Sequence, residues 1–339
     1  MSARWPAILL VAVAALLAMR LMSNEGGYAS RTQEIMATPI TVILPRPELE
    51  RGSAIVFETF RDVDRMMSEW KAGSPLAEVN RQAGVKPVEA PDELIGLLER
   101  ASELNRRTDG AFAMTWAALW PLWDFKAAEP EIPSDEAIAQ AVELIDDEAV
   151  EIDREAGTIF LPRKGMLVGL GGIAKGSAID RAAEALRRAG IHSFLITAGG
   201  QTYAGGTRDG VPWRIGVRHP RPTLDQRLIA TFPAMNATAA TSGDYERYFH
   251  KDGVRHHHIL DPRTGRPARG VRSVTVIGSD ATLADALSTA VFVLGVERGM
   301  ALIEETAGME CMIVDDSGRV HLSTGASAMV EIAELTETS

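Results

Sequence analysis

Three groups of residues in this chain could do chemistry. The first is the run His256-His257-His258, just ahead of Asp261-Pro262-Arg263-Thr264-Gly265. An imidazole exchanges its proton near neutral pH, so these histidines are candidates for general base work. The second is the pair Asp285 and Thr289. One helical turn apart, they project oxygens from the same face. A carboxylate beside a hydroxyl is a hard-oxygen pair that suits Mg²⁺. The third is Val168-Gly169-Leu170-Gly171-Gly172-Ile173-Ala174-Lys175-Gly176, a glycine-rich turn that opens a helix. Free N–H groups and the helix dipole point the same way there, toward an anion. Its spacing fits neither the Walker A loop nor the dinucleotide fingerprint.

These groups need elements to position them. Lys251-Asp252-Gly253-Val254 reads as a hairpin turn, since Asp-Gly supplies the positive φ values of a tight turn. The histidines then ride the returning strand, with His256 and His258 on one face and His257 on the other. Pro262 and Gly265 end that strand with turn chemistry. Residues 48–70 show helical spacing through Ile55, Phe57, Phe60, Val63, Met66 and Met67, and a second helix starts at Pro91-Asp92. Residues 283–294 and 297–305 read as two more helices. Strands are expected at residues 40–44, 191–197 and 274–277, with a hairpin across Asp316-Ser317-Gly318. Strands and helices mix without regular βαβ alternation, so the expected class is α+β.

Composition narrows the function. A net charge of −11 opposes a nucleic-acid partner, because phosphate binding wants a basic surface. Cys311, the single cysteine, excludes an intramolecular disulfide and a thiolate metal cluster. It sits in the apolar run Glu310-Cys311-Met312-Ile313-Val314, where a buried inert thiol is expected. Residues 1–22 hold a basic start and an unbroken apolar run, which reads as a secretory signal or a short membrane anchor. The expected organisation is that segment, a linker over 23–34, one large unit over 35–330 and a tail over 331–339.

Taken singly, each motif is an ordinary strand, turn or helix face. Together and in this order they resemble the ApbE family, the FAD:protein FMN transferases. The resemblance rests on Met36-Ala37-Thr38, Met67-Ser68-Glu69-Trp70, Ala111-Phe112-Ala113, the glycine turn up to Lys175-Gly176, and the stretch from Thr241 to Thr289. It implies the ApbE-type fold, with mixed sheets, flanking helices and an FAD cleft between two parts of one domain. Met36, Trp70, Ala111, Phe112, Ala113, Gly169, Lys175 and Leu260 would then lie against FAD. The Gly172 carbonyl, Asp285 and Thr289 would hold Mg²⁺. His258 would be the base for the incoming hydroxyl, with Asp285 assisting while bound to the metal. The implied reaction moves FMN from FAD to a Thr or Ser hydroxyl and releases AMP. The implied acceptor is an FMN-binding domain of a membrane electron-transfer complex, on the exported, periplasmic side of an inner membrane. A flavin-delivery protein and a Mg²⁺-dependent FAD pyrophosphatase are the alternatives. Four positions depart from the family's pattern. Ala37 stands for a glycine, Trp70 for a tyrosine, and Ala113 and Gly169 for aspartates. Restoring the two aspartates is expected to tighten FAD binding.

Overall fold

The computed structural model describes residues 27–221 and 228–333. The N-terminal apolar segment at residues 1–22 lies outside the described residues.

Eight strands form one antiparallel sheet whose spatial order is also their chain order. They are β1 (Tyr28–Ile35), β2 (Thr38–Pro45), β3 (Phe194–Ala198), β4 (Gln201–Gly205), β5 (Ala237–Gly243), β6 (Val271–Gly278), β7 (Met309–Asp315) and β8 (Val320–Leu322). Alternation along these strands makes two cores. Ile40, Val42, Leu44, Ile196, Val274 and Val276 face one side, where they pack with the helices. Ile43, Leu195, Ile277 and Met312 face the other. That second side is covered by a smaller sheet that includes Val211–Arg218 and Leu228–Ala234 and brings in Trp213, Ile215 and Phe232. The expected α+β class is borne out.

The helices include α1 (Leu49–Met67), α2 (Pro75–Arg81), α3 (Asp92–Arg107), α4 (Asp135–Val142), α5 (Ala174–Arg188) and α6 (Ala281–Glu304). α1 buries Val56, Phe57, Phe60, Val63 and Met67 along one stripe, and each such side chain stabilises by roughly 1.5–3 kcal/mol. α6 carries an almost continuous apolar sequence because it is wedged between the sheet and α5. It is long and apolar enough to cross a membrane, yet its burial marks it as a core helix. The helix breaks at Gly295, whose φ of 79° no helix accommodates, so the expected division near that residue holds.

Two expectations on domain limits change. The linker at 23–34 gives way from Tyr28 onward to β1, paired residue for residue with β2. The tail at 331–339 begins with Glu331–Ile332, which pairs with Leu228–Ala234 in the smaller sheet, and residues 334–339 lie outside the described residues.

Ile35 pairs with Thr38, so Met36-Ala37 is a two-residue hairpin loop. Both residues are left-handed, with φ of 55° and 52°, as a type I′ turn requires. Neither is glycine, so the turn carries strain at Ala37. Ala37→Gly is expected to raise unfolding stability by roughly 0.5–1 kcal/mol, the relief at φ > 0 exceeding the entropy glycine adds to the unfolded chain. Urea titration checks this, and an unchanged or lower midpoint would show that the loop tolerates alanine freely.

Candidate active site

The site grows from the place where the N-termini of α5 and α6 meet. The glycine turn before α5 is held from several directions. Asn80 on α2 accepts the Val168 N–H at 2.8 Å and donates to the Val168 carbonyl at 2.9 Å. Gly169 N–H donates to the Met114 carbonyl at 2.8 Å. Leu170 N–H donates to Glu69 Oε2 at 3.4 Å. The Leu170 carbonyl accepts from Ile173 N–H (3.0 Å) and Ala174 N–H (2.8 Å), which turns the chain into α5.

α6 follows directly on β6. Asp280 caps it by accepting the Leu283 N–H at 2.8 Å. One turn in, the Asp285 carboxylate is buried, and its Oδ2 accepts the Gly176 N–H of α5 at 3.0 Å. Its other oxygen, Oδ1, faces the Lys175 ammonium at 3.4 Å, and Lys175 Nζ also donates to the Gly171 carbonyl at 2.7 Å. A further turn on, Thr289 Oγ1 lies 3.4 Å from Ser242 Oγ at the end of β5. A Cβ placed on Gly172 would sit 3.4 Å from both Thr289 Oγ1 and Phe112 Cε2, so Gly172, Thr289 and Phe112 share one small space. Asp285 Oδ1, Thr289 Oγ1 and the backbone oxygens of the glycine turn are all hard donors, and Oδ1 already faces a positive charge. That set fits Mg²⁺ better than a soft metal.

The histidines divide as their alternation predicts, up to a point. His256 stacks on Phe249 with centroids 5.2 Å apart. His257, on the opposite face, donates from Nε2 to the Ala268 carbonyl at 2.9 Å and meets the edge of Phe292 on α6. The strand ends at His257. His258 therefore stands beyond it, its N–H donating to the Arg247 carbonyl at 3.0 Å and its buried Nδ1 without a partner. An ordinary imidazole near neutrality is not what results. Burial first, then the positive charge of Arg247, pushes His258 down to about 4, with Lys175 adding in the same sense. At pH 7 this ring is neutral.

Aromatic residues form a wall beside the turn. Trp70 is 62% exposed and leans on Trp120 at 5.0 Å between centroids. Trp120 meets the face or edge of Trp116 at 5.3 Å and 80°. Trp116 Nε1–H in turn donates to the Gly169 carbonyl at 3.2 Å. Ala111, Phe112 and Ala113 are buried alongside, with the Phe112 carbonyl fixed by Asn105.

Of the residues singled out in the sequence, Phe112, Gly172, Lys175, Asp285 and Thr289 come together. Gly169 and Trp70 join them through Trp116 and Trp120. Met36 occupies the β1–β2 turn, half-buried against the main core. Leu260 packs in a separate apolar cluster with Trp123 and Phe249. Glu69 was missed. Its carboxyl is held above the usual range by burial, against the opposing pull of the Leu170 N–H and Lys175. No local pattern marks it, because its partners lie a hundred residues downstream.

The expectation for Gly169 needs correction. A Cβ there would stand 2.9 Å from the Ala117 Cβ and 3.2 Å from Trp116 Nε1. The indole occupies the space that an aspartate needs. Gly169→Asp is therefore expected to cost roughly 1–3 kcal/mol of stability by overpacking, and to loosen rather than tighten the site. Chemical unfolding measures it, and undiminished stability would mean that the tryptophans yield freely.

A model described as the ApbE family matches residues 36–313 of this chain. The chain is 33% identical to an FAD:protein FMN transferase of Treponema pallidum, over 90% of this chain and 89% of that one. It is equally similar, at 33%, to one of Vibrio cholerae, over 93% and 96%. Among solved structures, the ApbE protein of Thermotoga maritima superposes with a TM-score of 0.82 at 33% identity, covering 89% of this chain and 99% of that one. The Vibrio cholerae flavin transferase ApbE gives a TM-score of 0.79 at 29% identity, covering 90% and 99%. With the family model spanning most of its length and these relatives aligned almost end to end, the chain belongs to the ApbE family.

Proposed function

We propose that this chain is an FAD:protein FMN transferase, acting on a Thr or Ser hydroxyl of a partner protein. The observation that carries the reading is the assembly of Lys175, Asp285 and Thr289 around the Gly172 turn, on a family member whose curated relatives bear that name. Asp285, Thr289 and the Gly172 carbonyl would hold Mg²⁺, which supplies charge neutralisation at a diphosphate. Every other task falls to the chain itself. The exposed face of Trp70 offers a stacking surface for the flavin ring. Lys175 presents its ammonium to the diphosphate, and the α5 N-terminus adds its dipole. The acceptor oxygen forms a bond to the FMN phosphorus as the bond from that phosphorus to the bridging oxygen breaks. AMP leaves with the bridging oxygen, and His258 takes the hydroxyl proton. Its neutral ring at pH 7 is the form that can accept one. The acceptor is an FMN-binding domain of a membrane electron-transfer complex, met on the exported, periplasmic side. The apolar residues 1–22 support that location as a signal or anchor.

Incubation of the full chain with FAD, Mg²⁺ and an acceptor domain tests the reading by intact mass. Covalent FMN on the acceptor is expected. Free FMN with AMP would favour the pyrophosphatase, and bound intact FAD would favour the delivery protein. Because Asp285 also accepts the Gly176 N–H, Asp285→Asn is the cleaner variant, keeping one oxygen for that bond. Its rate should fall at least roughly a thousandfold, equivalent to about 4 kcal/mol at the transition state. A rate near wild type would remove the metal assignment.

The pH profile addresses the base. His258 loses its accepting lone pair only as pH falls through about 4. So kcat/KM should be level from about pH 5.5 to 7.5 on this account and decline below that, with no limb near 6.5. His258→Ala should cost roughly a hundredfold or more in turnover and abolish the acid limb, whereas His257→Ala should leave the limb in place. An acid limb near 6.5 in the wild type, or equal losses from both variants, would count against His258.

A further inference from the structure

The two helices that carry the site cap each other. Asp285 on α6 accepts the Gly176 N–H near the start of α5. In return Asp180 on α5 accepts the first two N–H groups of α6, from Ala281 at 2.9 Å and Thr282 at 2.8 Å, and also the Thr282 hydroxyl at 2.6 Å. The fit between them is tight. A Cβ on Gly176 would overlap the Ala281 carbonyl oxygen, so only glycine lets the helix ends approach this closely. Gln201 holds that same carbonyl from β4 at 2.8 Å. None of the Asp180 contacts is with Lys175, Asp285 or Thr289 themselves.

We infer that Asp180 is a positioning residue, which by gripping the α6 N-terminus sets the spacing between the glycine turn and the Asp285–Thr289 face. The inference rests on the metal reading proposed above. Gly172 and Lys175 move with α5, while Asp285 and Thr289 move with α6. Two rigid elements joined at their ends can keep oxygen donors within the few tenths of an ångström that Mg²⁺ demands. Removing Asp180 leaves two buried N–H donors of α6 without partners and frees one helix to slide against the other. Asp180→Asn keeps a single acceptor oxygen and turns its amide toward an N–H donor, so it should fall between alanine and wild type.

The test uses the purified full chain and Mn²⁺ as probe, with free Mn²⁺ read by electron paramagnetic resonance. Asp180→Ala should bind Mn²⁺ about tenfold more weakly than wild type, in the range usual for partners that orient metal ligands. FAD binding measured without metal, by flavin fluorescence, should change by less than about twofold, because Trp70 and Phe112 are not anchored by Asp180. A general loosening of the fold would weaken both, and that outcome would overturn the inference. So would unchanged Mn²⁺ affinity. If Asp180→Ala fails to fold, Thr282→Val removes just one of the three bonds, and a smaller loss of Mn²⁺ affinity is expected from it; none would again overturn the inference. Wild-type protein that binds no Mn²⁺ would overturn the metal reading and this inference together. Wild type that binds it, with variants that bind equally well, would overturn this inference alone.

Discussion

The contact of Gly176 with the Ala281 carbonyl is the constraint on which the site depends. Two helix N-termini, each bearing N–H groups that need partners from outside the helix, are pressed together at Gly176, where a Cβ would overlap the Ala281 carbonyl oxygen. Such an arrangement concentrates positive potential from two dipoles at one place. Left alone it would be repulsive and poorly hydrogen-bonded. Carboxylates relieve it: Asp280 and Asp180 satisfy α6, and Asp285 satisfies α5. What remains beside this junction is Lys175 and the backbone of the glycine turn.

That arrangement explains why the surrounding sheet is built as it is. An antiparallel sheet whose spatial order follows its chain order needs only short turns between neighbours at several points. Long insertions can then be placed where they serve the site. Between β2 and β3 the chain inserts α1 to α5, with the Trp70 segment and the glycine turn. Between β5 and β6 it inserts the histidine hairpin. Both insertions are anchored to rigid strands, so residues far apart in sequence meet with little freedom. Asp244, just past β5, shows the cost of such anchoring. It is buried, and Arg221 grips it with two bonds of 2.7 and 2.5 Å while Arg255 stands 3.6 Å away. A single unpaired charge there would be expensive, and two cations settle it.

Much of this was legible in the sequence, wherever the cause was local. Asp252-Gly253 gave away its hairpin because both residues must be left-handed, and their φ values of 53° and 74° agree. The spacing of Asp285 and Thr289 placed them on one helix face, and Cys311 is the buried thiol expected, raised by burial to about 12. What could not be read depends on neighbours distant in the chain. The lowered basicity of His258 comes from burial and from Arg247, neither of which alternation along a strand can reveal. Asp180 looks like one more polar residue on an amphipathic helix until α6 is packed against it. Glu69 is equally silent until the Leu170 N–H is seen to point at it. The first strand was hidden for a different reason. Its polar residues face solvent at the edge of the sheet, so Tyr28–Ile35 shows little of the alternation that marks β2.

The departures from the family's pattern are not independent of one another. Gly169 lacks the side chain that would collide with Trp116 and Ala117, and so admits the indole whose Nε1–H binds its carbonyl. Trp116 then supports Trp120, and Trp120 supports Trp70, the residue in the tyrosine's place. Ala113 leads directly into the turn Met114–Leu119 that carries Trp116, and Asp147 holds that turn by accepting the Met114 and Thr115 N–H groups. Gly169, Trp70 and Ala113 therefore belong to one connected wall of largely aromatic surface. A polar side chain placed at Gly169 in isolation meets Trp116 and Ala117 where they already fill the space. Substitutions within this wall should accordingly combine non-additively, because each member's packing is set by the next. Ala37 lies outside the wall. Its strain belongs to the β1–β2 turn, which it shares with Met36.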